Sequence, residues 1–168
     1  MVFYITKEGR KQHEAEFLKL QQELQDITNE KNYAYSNCGD TWHDNPTFND
    51  LEQRERRMAT KVAEKRNFLN NAQIIEITNR NTMQVSIGSI IELSRVFSKS
   101  GKNSIEVWEV VGFGESDPKN KKVGYNTPIG SLLMGMKVNE VKTMNDFING
   151  NIECQVKRFF NNWEEVNQ

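Results

Sequence analysis

Apolar positions follow two different periods along this chain, one in each half. From about Ile5 to Gln73 they recur at alternating intervals of three and four. One run is Phe17, Leu20, Leu24, Ile27, Lys31 and Ala34; the other is Leu51, Glu55, Met58, Val62, Lys65 and Leu69. This spacing keeps one stripe of a helix turned toward a partner helix. Antiparallel folding pairs Ala34 with Leu51, Lys31 with Glu55, Ile27 with Met58, Leu24 with Val62, Leu20 with Lys65 and Phe17 with Leu69. The residue numbers of every pair total 85 or 86, so the centre of the hairpin falls at Trp42-His43. Lys31–Glu55 is the one pair with two polar members, and their opposite charges suit a register-fixing role. Between the runs, Gly39 suits a helix end, and Asn45-Pro46 suits an N-cap followed by a first-turn proline. Arms of roughly 30 residues would reach on the order of 45 Å, more than a small domain needs for its own core.

The second half alternates short β-branched runs with turn residues such as Gly101, Gly112, Gly114 and Asp117-Pro118. Ile90–Leu93, Ile105–Val111, Lys137–Val141 and Ile152–Val156 read as strands, and the turns between them favour an antiparallel sheet. In Asn126–Gly135, Thr127 can cap a short helix, Pro128 suits its first position and Gly135 its end. The expected fold class is therefore α+β. Residues 1–75 form a long antiparallel helical hairpin, a coiled coil with an acidic tip loop. Residues 76–168 form an antiparallel sheet carrying one short helix.

Charge changes this picture little. With 22 Lys+Arg against 23 Asp+Glu, nothing argues for wholesale electrostatic binding to nucleic acid or to a membrane. Apolar runs are too short to span a bilayer, and the N-terminus lacks a signal pattern, so a cytoplasmic protein with no membrane partner is expected. Cys38 and Cys154 are isolated and read as reduced thiols. The second half holds no nucleophile–base pair, glycine-rich phosphate loop or metal-ligand spacing.

Candidate chemistry concentrates at the hairpin tip. Asp40 and Asp44 flank the fold centre, with Trp42 and His43 between them. Two carboxylates in a turn can simply cap and solvate it. They can also form half of a hard-cation site, because Mg²⁺ takes oxygen ligands and commonly draws only one or two carboxylates from one protein. Cys38, Asp40, His43 and Asp44 make a poor zinc site, having a single thiol and a single imidazole. On the second arm, Asp50–Arg54 and Glu52–Arg56 are ordinary i,i+4 pairs. Arg57 and Lys61 have no acid four residues before them, so a solvated face and a phosphate-contacting face both remain open.

Three segments together resemble the GreA/GreB family of transcript cleavage factors. Ser36–Phe48, SNCGDTWHDNPTF, is similar to the family's tip pattern: Gly-Asp, a short spacer, Glu-Asn, a small residue and an aromatic two further on. Asn70–Ile75 resembles its junction out of the second helix. Lys122–Ile129 followed by Leu132–Val141 resembles its C-terminal signature. The resemblance implies an FKBP-like C-terminal domain. It also implies a monomeric accessory factor, not itself an enzyme, that enters the secondary channel of RNA polymerase. There it would stimulate cleavage near the nascent RNA 3′ end in backtracked complexes. Asp40 and Asp44 would take the roles of the family's tip acids, helping hold the polymerase's second catalytic Mg²⁺, with no cofactor of the factor's own. Trp42, His43, Asn45 and Phe48 would supply tip contacts, Phe48 standing where the family often has tyrosine. Arg57 and Lys61 would face RNA phosphates. Asn126, Thr127 and Pro128 lie where the family's C-terminal domain meets the channel rim.

Two departures stand out. Thr41, Trp42 and His43 separate the acids where the family usually has two residues, and the second acid is Asp rather than Glu. A ligand misplaced by roughly an ångström can cost about a hundredfold in rate. The alternative is thus a Gre-like regulator that occupies the channel without stimulating cleavage. FKBP-like topology alone would suggest a prolyl isomerase, but fold analogy is a weak warrant for function.

Overall fold

The computed structural model describes residues 2–37, 45–77, 80, 82–146 and 150–167. The chain forms two compact units, Met1–Phe3 with Arg10–Ala72 and Tyr4–Gly9 with Gln73–Gln168. The short segment Tyr4–Gly9 therefore packs with the C-terminal residues, although it lies inside the stretch expected to be the hairpin.

Strand β1 (Phe3–Ile5) leads into helix α1 (Lys7–Ser36). Helix α2 (Pro46–Asn71) runs into strand β2 (Ala72–Ile74), which pairs with β1. Both helices are rich in Glu, Lys, Gln, Arg and Leu, which lose little freedom on becoming helical. Asn45 caps α2, its side chain accepting from the N–H of Thr47 at 3.0 Å and of Phe48 at 3.4 Å, with Pro46 in the first turn. Every expected seam position is shielded. Ile27, Leu51, Val62 and Leu69 are buried, and the other eight are half-buried.

Lys31 and Glu55 form the expected ion pair, and Thr28 Oγ1 donates to Glu55 Oε1 at 2.8 Å. Lys65, expected opposite Leu20, pairs through its ammonium group with Glu16 and approaches His13 Nδ1 at 2.9 Å, because a part-buried charge keeps a carboxylate partner. The seam also runs one step further than the apolar pattern indicated, to His13, which is buried edge-on against Phe68 with ring centroids 4.7 Å apart.

The second unit holds a five-stranded sheet. Its elements are β3 (Ile90–Phe97), β4 (Asn103–Val111), β5 (Lys122–Gly124), helix α3 (Pro128–Leu133), β6 (Val141–Asp146) and β7 (Gly150–Phe160). Spatial order is β5-β4-β3-β7-β6. Contacts between β3 and β4, β3 and β7, and β6 and β7 are antiparallel.

The expectation of a purely antiparallel sheet is corrected at one edge, where β5 runs parallel to β4 with Val110 opposite Val123. Asp117 is the cause. It accepts from the N–H of Lys119 and Asn120, and its backbone bridges Lys122. The chain is thus turned back before it meets β4 again. A second correction concerns Lys137–Val141, where only Val141 lies in a strand. Asn139 adopts φ of 64°, and the Glu140 carboxylate accepts from the Lys137 N–H at 2.9 Å, so this segment is a turn. Val85, Ile91, Leu93, Val110, Leu133, Met136, Ile152, Cys154 and Val156 form the core. Burial pushes the free Cys154 thiol pKa up, which keeps it protonated and inert.

Candidate functional site

Asp40, Trp42, His43 and Asp44 lie outside the described residues, as do Cys38, Gly39 and Thr41. Their flanks are described. On one side α1 ends at Ser36, where the Asn37 N–H still donates to the Tyr33 carbonyl at 3.1 Å. On the other, α2 starts at Pro46 behind the Asn45 cap. The Phe48 ring lies 6.1 Å from that of Tyr35, tilted by 48°, so this residue joins the two helices at their loop-facing ends.

Further along the hairpin, Arg57 and Lys61 line one groove with Arg54 and Met58. Opposite them stand Glu23, Asp26 and Glu30 of α1. Three carboxylates against three cations leave the groove mixed in sign, which weakens any attraction for phosphate. The seam ion pairs shape the local titrations. A hydrogen bond from Lys31 holds the Glu55 carboxyl below its ordinary range, and Thr28 adds a second donor. Lys65 does the same to Glu16.

In the second unit, Asn126 and Pro128 are exposed at the start of α3 and Thr127 is half-buried. Thr127 Oγ1 donates to the Gly124 carbonyl at 2.8 Å and accepts from the Gly130 N–H at 3.0 Å. Thr127 and Pro128 form one wall of a cavity of about 310 Å³, whose apolar lining includes Leu93, Trp108, Val123, Ile129 and Met144. At its side, Arg95 and Lys121 both pair with Glu106, and each lies over the Trp108 ring, at 5.4 and 5.3 Å. Lys121, as hydrogen-bond donor, is the main cause of the lowered Glu106 pKa.

The sequence reading did not single out this cavity or Glu115. The Glu115 carboxylate accepts from Thr6 N–H at 2.7 Å, Thr6 Oγ1 at 2.8 Å and Gly112 N–H at 3.2 Å. A Cβ on Gly9 or Gly112 would stand only 1.9 or 2.3 Å from Glu115 Oε1. Gly9 in the first turn of a long helix was the available signal, since glycine is costly there without a packing reason. Among the described residues, no group of three or more His, Cys, Asp and Glu is placed to hold a metal ion. No described helix is long and apolar enough to cross a membrane.

Residues 80–158 match the family profile described as transcription elongation factor, GreA/GreB, C-term. The transcription elongation factor GreA of Chloroflexus aggregans is 28% identical over 141 residues, covering 84% of this chain and 87% of its own. GreA of Thermosipho melanesiensis is 29% identical over 140 residues, covering 83% and 85%. Among solved structures, GreA factor homolog 1 (Gfh1) of Thermus thermophilus aligns with 95% of this chain and 99% of its own, at 20% identity and a TM-score of 0.43. Its C-terminal unit is thus matched by the GreA/GreB family profile, and over five-sixths of its length the chain is similar to GreA transcription elongation factors.

Proposed function

We propose that this protein binds RNA polymerase through the secondary channel and stimulates cleavage of the transcript in backtracked complexes. The observation that carries the proposal is the register-locked hairpin. Two helices of 30 and 26 residues, held in step by Lys31–Glu55, flank the segment that bears Asp40 and Asp44. Two aspartates are hard oxygen donors of the kind Mg²⁺ accepts, and a half-site of this kind becomes useful when a second protein completes it. Asp40 and Asp44 would help hold such an ion, which would supply charge to activate water and support the leaving oxygen in phosphodiester hydrolysis. The chain's own contribution is reach and charge, while the polymerase performs the bond cleavage. Asn126, Thr127 and Pro128 are proposed to dock on the channel rim. They suit contact with a protein partner, because α3 offers two exposed residues beside an apolar cavity.

The test is a transcript-cleavage assay on a stalled, backtracked complex. Asp40→Ala or Asp44→Ala should abolish the stimulation and leave polymerase binding intact. Equal cleavage by wild type and both variants rejects the proposal. A second reading rests on the three residues between the acids and on Asp in place of Glu. On that reading the factor occupies the channel and slows nucleotide addition without shortening the transcript. The same assay separates the two.

A further inference from the structure

The loop-facing end of the hairpin combines three features that its body lacks. Of the five aromatic residues in the two helices, Tyr33, Tyr35 and Phe48 lie within the last four residues of α1 and the first three of α2. Tyr33 is 74% exposed and Tyr35 50% exposed, far from any core that would call for a ring. Residues 32–53 contain no Lys or Arg but include Asp50 and Glu52, while Asn32, Asn37, Asn45 and Asn49 supply amides.

An end so poor in cations cannot gain affinity for RNA by neutralising phosphates. Its rings can gain affinity by stacking on unpaired bases, a contact that every base offers. Amide side chains add donors and acceptors for base edges. Tyr35 is the best-placed ring. Phe48 packs against it at 6.1 Å and holds it in place, and half of its surface stays in solvent.

We propose that Tyr35, braced by Phe48, forms a stacking platform for the unpaired bases of the extruded RNA 3′ segment. This rests on the function proposed above and names the ligand chemistry of the hairpin end. It differs from a hydrophobic staple between helices, which leucine could supply equally well.

The test uses the full chain with a backtracked elongation complex whose extruded RNA carries 2-aminopurine, a base whose fluorescence is quenched on stacking. Wild type and Tyr35→Phe should quench it several-fold, Tyr35→Leu should lose most of that quenching, and Tyr33→Leu, on another face of α1, should keep it. The quenching should also change little with salt while the factor stays bound, because no phosphate contact is involved. Polymerase binding is followed in parallel by the anisotropy of labelled factor. Wild-type binding without quenching, or equal quenching by wild type and Tyr35→Leu, overturns the platform alone. If Tyr35→Leu weakens binding but leaves quenching unchanged, the ring contacts the channel wall and the platform is likewise rejected. Failure of the wild type to bind polymerase overturns the function on which it rests.

Discussion

At Gly130 a Cβ would come within 2.0 Å of the Gly124 carbonyl oxygen, a backbone atom with little room to retreat. Gly130→Ala should therefore cost about 1–3 kcal/mol through overpacking, read as a lowered midpoint in urea unfolding. Thr127→Ala removes the cap of the same helix and should cost about 1 kcal/mol. The cap could be read from Thr127-Pro128 because capping is local chemistry. The close approach of Gly124 could not, since it depends on how the chain returns past itself. Lys137–Val141 shows the opposite failure. Its two β-branched valines suggested a strand, yet asparagine is one of the few residue types that enter left-handed backbone readily, and Asn139 turned the segment. The role of Glu115 was not legible in its neighbourhood, because two of its three hydrogen bonds come from Thr6, 109 positions away.

For the helices, the three-four spacing was enough to give the seam and the Lys31–Glu55 pair, since it keeps one stripe of each helix turned toward its partner. The ion pairs inside the stripe were less legible, as Lys65 shows by meeting Glu16. Lys31→Leu alone should lower hairpin stability, leaving Glu55 half-buried without its cation. The double change Lys31→Leu, Glu55→Leu should be at least as stable as wild type, because the desolvation cost of the pair disappears. Thermal unfolding followed by circular dichroism compares the three.

Acid should act on the same elements. Folded Glu55 and Glu16 have pKa values below their ordinary 4.5, so their contribution is present above that pH and is lost as pH falls through the folded values. Helical signal in mild denaturant should decline below about pH 4.5, and more shallowly in Glu55→Gln. In the sheet, the parallel placement of β5 escaped the sequence reading because three residues are too few to show a direction.

For the molecule as a whole, the two proposed tasks rest on different units, so substitutions should divide them. Asn126→Ala with Pro128→Ala changes two exposed residues and should leave unfolding within about 0.5 kcal/mol of wild type. Titrating labelled factor with polymerase should nevertheless show several-fold weaker binding. Asp44→Ala should show the converse, full binding without cleavage. The family profile covers residues 80–158 only, whereas the acids stand at positions 40 and 44, so the cleavage assay on their variants decides between cleavage and occupancy.

The placement of Tyr4–Gly9 bears on the order in which the chain matures during synthesis. Ile5 is fully buried, the Phe113 N–H donates to the Tyr4 carbonyl, and Thr6 reaches Glu115 across 109 positions of sequence. These first-made residues must wait for their partners to be translated, on the order of 5–20 s at usual ribosome speeds. The hairpin joins neighbours in sequence and can close in the meantime, with a fast local search. The nascent chain would thus complete its hairpin first and make these contacts of the N-terminal segment only once residue 115 has been translated.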